Sequence, residues 1–169
     1  DPSRGLGDVY KRQSLSFESG LELDVDLVID CSGFKKLIIG DVFKTKWISY
    51  QDNLPVNRAM PFFLDIKEEN YINYTLAWAQ KYGWMWQIPT QERIGAGYVY
   101  CDQFISPDQA QEEIEKVLGH KIEPRRDIKF NSGRLEKYWV KNCLAIGLSS
   151  GFLEPLEATS IHSTLIQII

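Results

Sequence analysis

The middle of the chain is a succession of short, aromatic-rich segments of period two, each separated from the next by a turn signal. VNRAMPFFLDI, NYTLAWAQKYGWMWQIP and IGAGYVYCDQF carry the pattern. A strand sends successive side chains to opposite faces, so such segments joined by tight turns are constrained to an antiparallel sheet. One turn falls at Lys81-Tyr82-Gly83. After it, alternation puts Trp84, Trp86 and Ile88 on one face, with Met85 and Gln87 on the other. Pro61 has no N–H to donate, which places its strand at an edge or at a bulge. Gly95-Ala96-Gly97 interrupts the last segment. It is not a dinucleotide fingerprint, because it lacks a third Gly and opens no helix.

The flanks add the remaining elements. SLSFESGLELDVDLVIDCSG reads as two strands around Ser19-Gly20, with Leu21, Leu23, Val25, Leu27 and Ile29 as its apolar positions. The strand ends at Asp30, and Gly33 follows in a tight loop. SPDQAQEEIEKVLGH is a helix: Ser106 caps it, Pro107 takes its first position, Ile114, Val117 and Leu118 form the stripe, and Gly119 ends it. Glu112, Glu113 and Glu115 read as its solvated face. RDIKFNSGRLEKYWV predicts strand, turn and strand, and NCLAIG a short buried strand. SSGFLEPLEATS is a loop, and SIHSTLIQII begins a second helix with Thr159 or Ser160 as N-cap. Strands, helix, strands and helix indicate an α+β or mixed α/β sheet, and the many antiparallel turns argue against a purely doubly wound fold.

Composition narrows the classes. The 169 residues suit one domain or a domain and a part, with 44% apolar and 25% charged residues as in soluble globular proteins. A net charge of −4 disfavours nucleic acid and acidic membranes as partners, and no apolar run is long enough to span a bilayer. Cys31, Cys101 and Cys143 are odd in number, with no CxxC or Cys/His cluster, so neither a disulfide framework nor a metal site is expected. Reduced thiols fit a cytoplasmic location. The opening DPSRGLGDVYKRQ is polar and aperiodic, and residues 1–13 read as a non-native tail. With no initiating Met and an end in mid-pattern at Ile169, the chain reads as an internal piece.

Three places could carry chemistry. In GLSSGFLEPLEATS a strand runs through a Gly/Ser loop to a helix start, where unpaired N–H groups and the positive end of the helix dipole favour an anion. Glu157 stands just before that start and could act as a base or hold a reactive acid. On spacing alone, a surface loop with a helix-capping Glu is the plainer account. The Trp84 and Trp86 indoles could wall a pocket for a flat aromatic molecule, although core packing explains them more simply. Gly33, after Asp30-Cys31-Ser32, could let backbone approach a ligand, and a strand-ending turn explains it equally well. His120 and His162 have no partners at ligand spacing. Ser149, Ser150 and Ser160 belong to no Ser-His-Asp arrangement that the sequence can show.

Taken together, DLVIDCSGF, WMWQIP, RIGAGYVYCDQF, IKFNSGR and WVKNCLAIGLSSGFLEPLEATSIH, in this order over about residues 21–169, resemble the flavin-dependent tryptophan halogenases. The resemblance implies a piece of a flavoprotein-monooxygenase-like FAD-binding fold with an antiparallel substrate-side sheet. That sheet would cover about residues 41–105, with a return to the FAD-binding part at about 126–169. It implies FAD, reduced by a separate flavin reductase, which with O2 and chloride or bromide yields hypohalous acid for a small aromatic substrate such as tryptophan or indole. By position, Glu157 matches the catalytic Glu, and Thr159 and Ser160 the halide-binding residues. Asp30, Gly33, Gly147 and Gly151 match cofactor-side positions. Trp84 and Trp86 match the tryptophans that separate flavin from substrate. Ser160 stands where the family often has Gly, and Ala158 where Ser is frequent. The catalytic Lys and the GxGxxG loop are not in this chain, so the piece alone is expected to be inactive. A flavin hydroxylase of the same fold and a non-catalytic aromatic-binding module are the alternatives, and a homodimer is left open.

Overall fold

The computed structural model describes residues 14–67, 72–154 and 159–169. In chain order the elements are β1 (Ser14–Ser16), β2 (Glu22–Asp24), β3 (Val28–Asp30), β4 (Trp47–Ser49), β5 (Arg58–Leu64), β6 (Leu76–Ala79), β7 (Gly83–Pro89), β8 (Ile94–Tyr100), α1 (Pro107–Leu118), β9 (Ile128–Lys129), β10 (Gly133–Leu135), β11 (Trp139–Val140), β12 (Cys143–Ala145), β13 (Gly151–Phe152) and α2 (Thr159–Ile168). They divide into two compact units. Of the described residues, 14–48, 133–153 and 159–169 make the first unit, and 49–67, 72–132 and 154 the second. The sheet expected over 41–105 therefore belongs to the second unit only from residue 49, and residues 126–132 belong there too.

The second unit is a five-stranded antiparallel sheet in the order β6-β7-β8-β5-β9, with α1 against one face. That face supplies Met60, Phe62, Met85, Ala96, Tyr98 and Tyr100, and α1 supplies Ala110 and Ile114. Burying a side chain of the size of Phe62 or Met85 contributes about 1.5–3 kcal/mol, and both are essentially fully buried. The tyrosine hydroxyls reach acids at the rim: Tyr98 donates to Glu113 at 3.1 Å and Tyr100 to Asp127 at 3.0 Å. Pro61 behaves as its chemistry requires. β9 pairs only with Arg58 and Ala59 of β5, and beyond them the Pro61 carbonyl accepts from the Arg125 N–H at the open edge. The helix has the expected capping box between Ser106 and Gln109, and Gly119 ends it at φ +76°.

The first unit holds a β1–β2 hairpin and two three-stranded sheets, β13-β10-β4 and β11-β12-β3. In the latter, β12 runs antiparallel to β11 and parallel to β3. Its core gathers Val28, Ile39, Leu135, Cys143 and Ala145.

Four local expectations change. The alternating run 21–29 is not one strand: it breaks between β2 and β3, and in β3 the buried positions are Val28 and Asp30, while Leu27 and Ile29 are more than half exposed. The reason is that a core one residue out of phase draws in Val28. IKFNSGRLEKYWV is not a hairpin, because β9 joins β5 while β10 pairs with β13. On α1, Val117 is exposed and Glu115 is buried. Glu115 accepts from Lys121 at 2.6 Å, Gln111 and the Ile122 N–H, which compensates its loss of water. Thr159 and Ser160 both lie inside the first turn of α2, so neither is its N-cap.

Candidate active site

Two neighbouring strands of the first unit, β3 and β12, run parallel and end side by side, with Asp30 opposite Ala145. The carboxyl ends of parallel strands are where open α/β sheets receive ligands. Each strand is followed by a 3-10 turn that begins on a glycine in the left-handed region: Gly33 at φ +66° and Gly147 at φ +67°. A side chain is strained at such φ. Where a Gly33 Cβ would stand, none of the described residues comes within 4 Å.

Asp30 organises both turns. One carboxylate oxygen accepts from the Ser32 N–H at 2.9 Å and the Ser32 hydroxyl at 2.6 Å. The other accepts from the Ile38 and Ile39 N–H groups at 2.9 and 2.8 Å. The fully buried Ser149 hydroxyl, from the second turn, stands 3.4 Å from the first oxygen. Burial alone would make the Asp30 carboxyl a weaker acid, but the Ser32 hydroxyl and the three N–H donors outweigh it and hold the carboxyl below its ordinary range. Asp30 is thus an ionised strut whose oxygens are taken by the protein. The Cys143 thiol nearby is pushed up to about 11 by burial and then by the Asp30 charge, so it stays protonated.

Helix α2 is tied to the second turn. The Gly147 N–H donates to the Gln167 side-chain oxygen at 3.2 Å, and the Gln167 amide donates to the Ser150 hydroxyl at 2.9 Å. Its first turn contains Thr159 and Ser160 and no acidic side chain, and the first N–H groups of a helix have no partner within it. Gly151 lies in β13 against Arg134. Glu157 lies outside the described residues, as does the tail expected over 1–13. The structure thus brings Asp30, Gly33 and Gly147 together.

Trp84 and Trp86 belong to the second unit, on the sheet face opposite α1. Their ring centres are 6.0 Å apart at 57°. In register, Trp86 stands beside Ala77 and Gly97, and Trp84 beside Ala79 and Val99. Gly97 is what lets the Trp86 indole lie flat on the sheet: an added Cβ would come within 2.0 Å of the ring. Among the described residues the buried Trp84 ring N–H has no hydrogen-bond partner. Sequence reasoning missed Ser32, Ser149, Gln167 and Gly97. The spacing of Asp30 and Ser32 is an Asx-turn signal that could have revealed the first. The other three become visible only in space.

The sequence profile of the family described as tryptophan halogenase matches residues 7–169. The chain belongs to this family. The match begins inside the segment that reads as a non-native tail. Among relatives, 7-chloro-L-tryptophan 6-halogenase KtzR of Kutzneria sp. (strain 744) is 37% identical over 88% of this chain and 30% of its own length. Tryptophan 6-halogenase SttH of Streptomyces toxytricini is 38% identical over 85% of this chain and 29% of its own length. Among solved structures, BrvH, a flavin-dependent halogenase from Brevundimonas sp. BAL3, superposes with a TM-score of 0.85 at 39% identity, covering 92% of this chain and 32% of that one. This family member therefore spans about 30% of the length of KtzR. Its mixed α/β architecture is that of the halogenase structures. Among its described residues no helix is long and apolar enough to cross a membrane.

Proposed function

We propose that this chain supplies part of the active site of an FAD-dependent halogenase acting on an electron-rich aromatic ring such as that of tryptophan or indole. Residues 14–169 would form a partial halogenase domain. The observation that carries the reading is the pair of glycine turns at the ends of β3 and β12, tied together through Asp30. The space over Gly33, which none of the described residues enters, fits close approach of a flat cofactor edge to backbone. When bound, reduced FAD supplies with O2 the oxidising power that turns chloride or bromide into hypohalous acid.

In this reading Gly33, Gly147 and Gly151 line the cofactor side, and Asp30 holds the turns of Gly33 and Gly147 rather than touching the cofactor itself. The N–H groups of Thr159 and Ser160 hold the halide at the positive end of α2, and Glu157 handles the proton of the oxidant. Trp84 and Trp86 form the wall that keeps flavin and substrate apart. A flavin reductase delivers reduced FAD by diffusion, the protein is cytoplasmic, and a homodimer is compatible with the reading.

The test uses a full-length protein containing this chain, with FAD, a flavin reductase, NADH, O2, bromide or chloride, and indole or tryptophan. Mass spectrometry should show a halogen isotope pattern on the product. An added oxygen instead would make the protein a hydroxylase, and no product would leave a binding module. Glu157→Gln should lower halogenation by at least about 100-fold, the scale of general acid–base catalysis, with FAD affinity unchanged. Equal turnover in the two proteins removes Glu157 from the chemistry.

A further inference from the structure

Helix α2 turns a polar stripe, not an apolar one, toward the second glycine turn. Ser160, Thr164 and Gln167 are spaced to share one helix face. They are half-buried, whereas Ile161, Leu165, Ile166 and Ile168 are exposed. The Thr164 hydroxyl donates back to the Ser160 carbonyl at 2.7 Å, and its oxygen lies 3.4 Å from where a Gly147 Cβ would stand. One turn further along, Gln167 reaches the turn itself.

The hydrogen bonds there close a ring. The Gly147 N–H donates to the Gln167 side-chain oxygen at 3.2 Å, the Gln167 amide donates to the Ser150 hydroxyl at 2.9 Å, and that hydroxyl donates to the Gly147 carbonyl at 2.8 Å. Both backbone groups of Gly147 are thus held, by one side chain from the helix and one from the turn. Because an N–H can face only an acceptor, the Gly147 N–H fixes which end of the Gln167 amide is the oxygen. Apolar contact is non-directional and lets a helix slide along its neighbour. Hydrogen bonds are directional and short, so sliding α2 by one residue, about 1.5 Å, would open the ring. An α-helix carries such a constraint along its length. Fixing Gln167 fixes the Thr159 end, about 12 Å away at about 1.5 Å per residue.

We propose that Gln167 is a positioning residue for the halide. By closing this ring it sets the axial register of α2, and with it the distance from the first-turn N–H groups to the cofactor side of the Gly147 turn. This rests on the proposed function, in which the N–H groups of Thr159 and Ser160 hold the halide. It adds the residue that places them.

The test uses a full-length protein containing this chain, with oxidised FAD bound and bromide as the probe. The bromide dissociation constant is read without turnover, from the change the ion makes in the flavin absorbance. Gln167→Met keeps the length and removes both polar ends. It should weaken bromide at least about 5-fold, the scale of one net hydrogen bond. Gln167→Glu keeps an oxygen for the Gly147 N–H and should stay within about 2-fold of the parent, because its charge lies further from the first turn than the Debye length of about 8 Å at physiological salt. Where Gln167→Met does not fold, Ser150→Ala opens the same ring from the turn and carries the same expectation. Hydrogen exchange over residues 144–151 reads the ring directly, and the Gly147 N–H should exchange at least about 10-fold faster in Gln167→Met. A merely structural role would lower the thermal midpoint of Gln167→Met and leave bromide affinity at the parent value; that result overturns the proposal. So does a Gln167→Glu protein that binds bromide no better than Gln167→Met. Unchanged exchange at Gly147 would mean that the ring does not hold in solution, and it overturns the proposal while leaving the halogenase reading intact. A parent protein that binds no bromide overturns the halide assignment of that reading and this proposal with it.

Discussion

At the scale of single residues, Asp30 and Gly97 hold what surrounds them in opposite ways, one by charge and one by the absence of a side chain. Asp30→Asn keeps the shape but turns one accepting oxygen into an N–H2 donor, facing either the Ser32 donors or the Ile38 and Ile39 N–H groups. Leaving such buried donors unmet should cost about 3 kcal/mol, read as a lower denaturant midpoint at unchanged slope. The pH dependence follows from the direction of the Asp30 shift. Its folded-state carboxyl is more acidic than in the unfolded chain, so its stabilisation is complete above the ordinary carboxylate range. It is lost as pH falls through the lower, folded value. The parent chain should therefore lose stability on acidification and the Asn variant should lose less; parallel pH curves would show that Asp30 is not the strut. At Gly97 the argument is steric. Gly97→Ala drives a methyl into the Trp86 ring, and overpacking of this kind costs about 1–3 kcal/mol. The near-ultraviolet spectrum of the Trp84–Trp86 pair should change in that variant, and Gly95→Ala should leave it alone.

Among the elements, α1 was the most legible because every signal for it is local. Ser106, Pro107 and Gly119 are punctuation with a chemical mechanism, and they act where they stand. Ser106→Ala removes the acceptor for the Gln109 N–H and should cost about 1 kcal/mol. A midpoint shift of less than a few tenths would mean that tertiary packing alone sets the start of this helix. The three aromatic segments of the sheet were legible for the same reason, since period and turn spacing are local. Glu115 was misread because its identity alone predicts solvent, and only the fold places Lys121, Gln111 and the Ile122 N–H around it. β3 was misread because a period of two says that one face differs from the other, not which one is covered. β10 could not be placed from sequence at all: its partners β13 and β4 come from distant parts of the chain. In the candidate site, Gly33 and Gly147 carry a readable signal. The connection through Ser149 and Asp30 spans 119 positions and carries none.

Seen as a whole molecule, the outward face of the β11-β12-β3 sheet is unusual. Trp139, Leu144 and Ile29 stand in register across it. Trp139 is 60% exposed and Ile29 is 52% exposed, and the neighbouring Leu27 is similarly open. Sheets containing parallel strands are ordinarily covered on both faces, and contiguous apolar surface of this kind promotes association. The 169-residue chain should therefore bind a hydrophobic dye such as ANS strongly and self-associate as its concentration rises. Replacing Ile29 and Trp139 by Thr puts a β-branched residue suited to a strand at each position and removes the apolar row. Dye fluorescence should fall by at least about half and the apparent mass in sedimentation should move toward that of a single chain. The thermal midpoint should move little, because side chains already in water lose little burial on substitution. Dye binding that survives both substitutions would move the sticky surface to α2, whose Ile161, Ile166 and Ile168 are each more than 60% exposed.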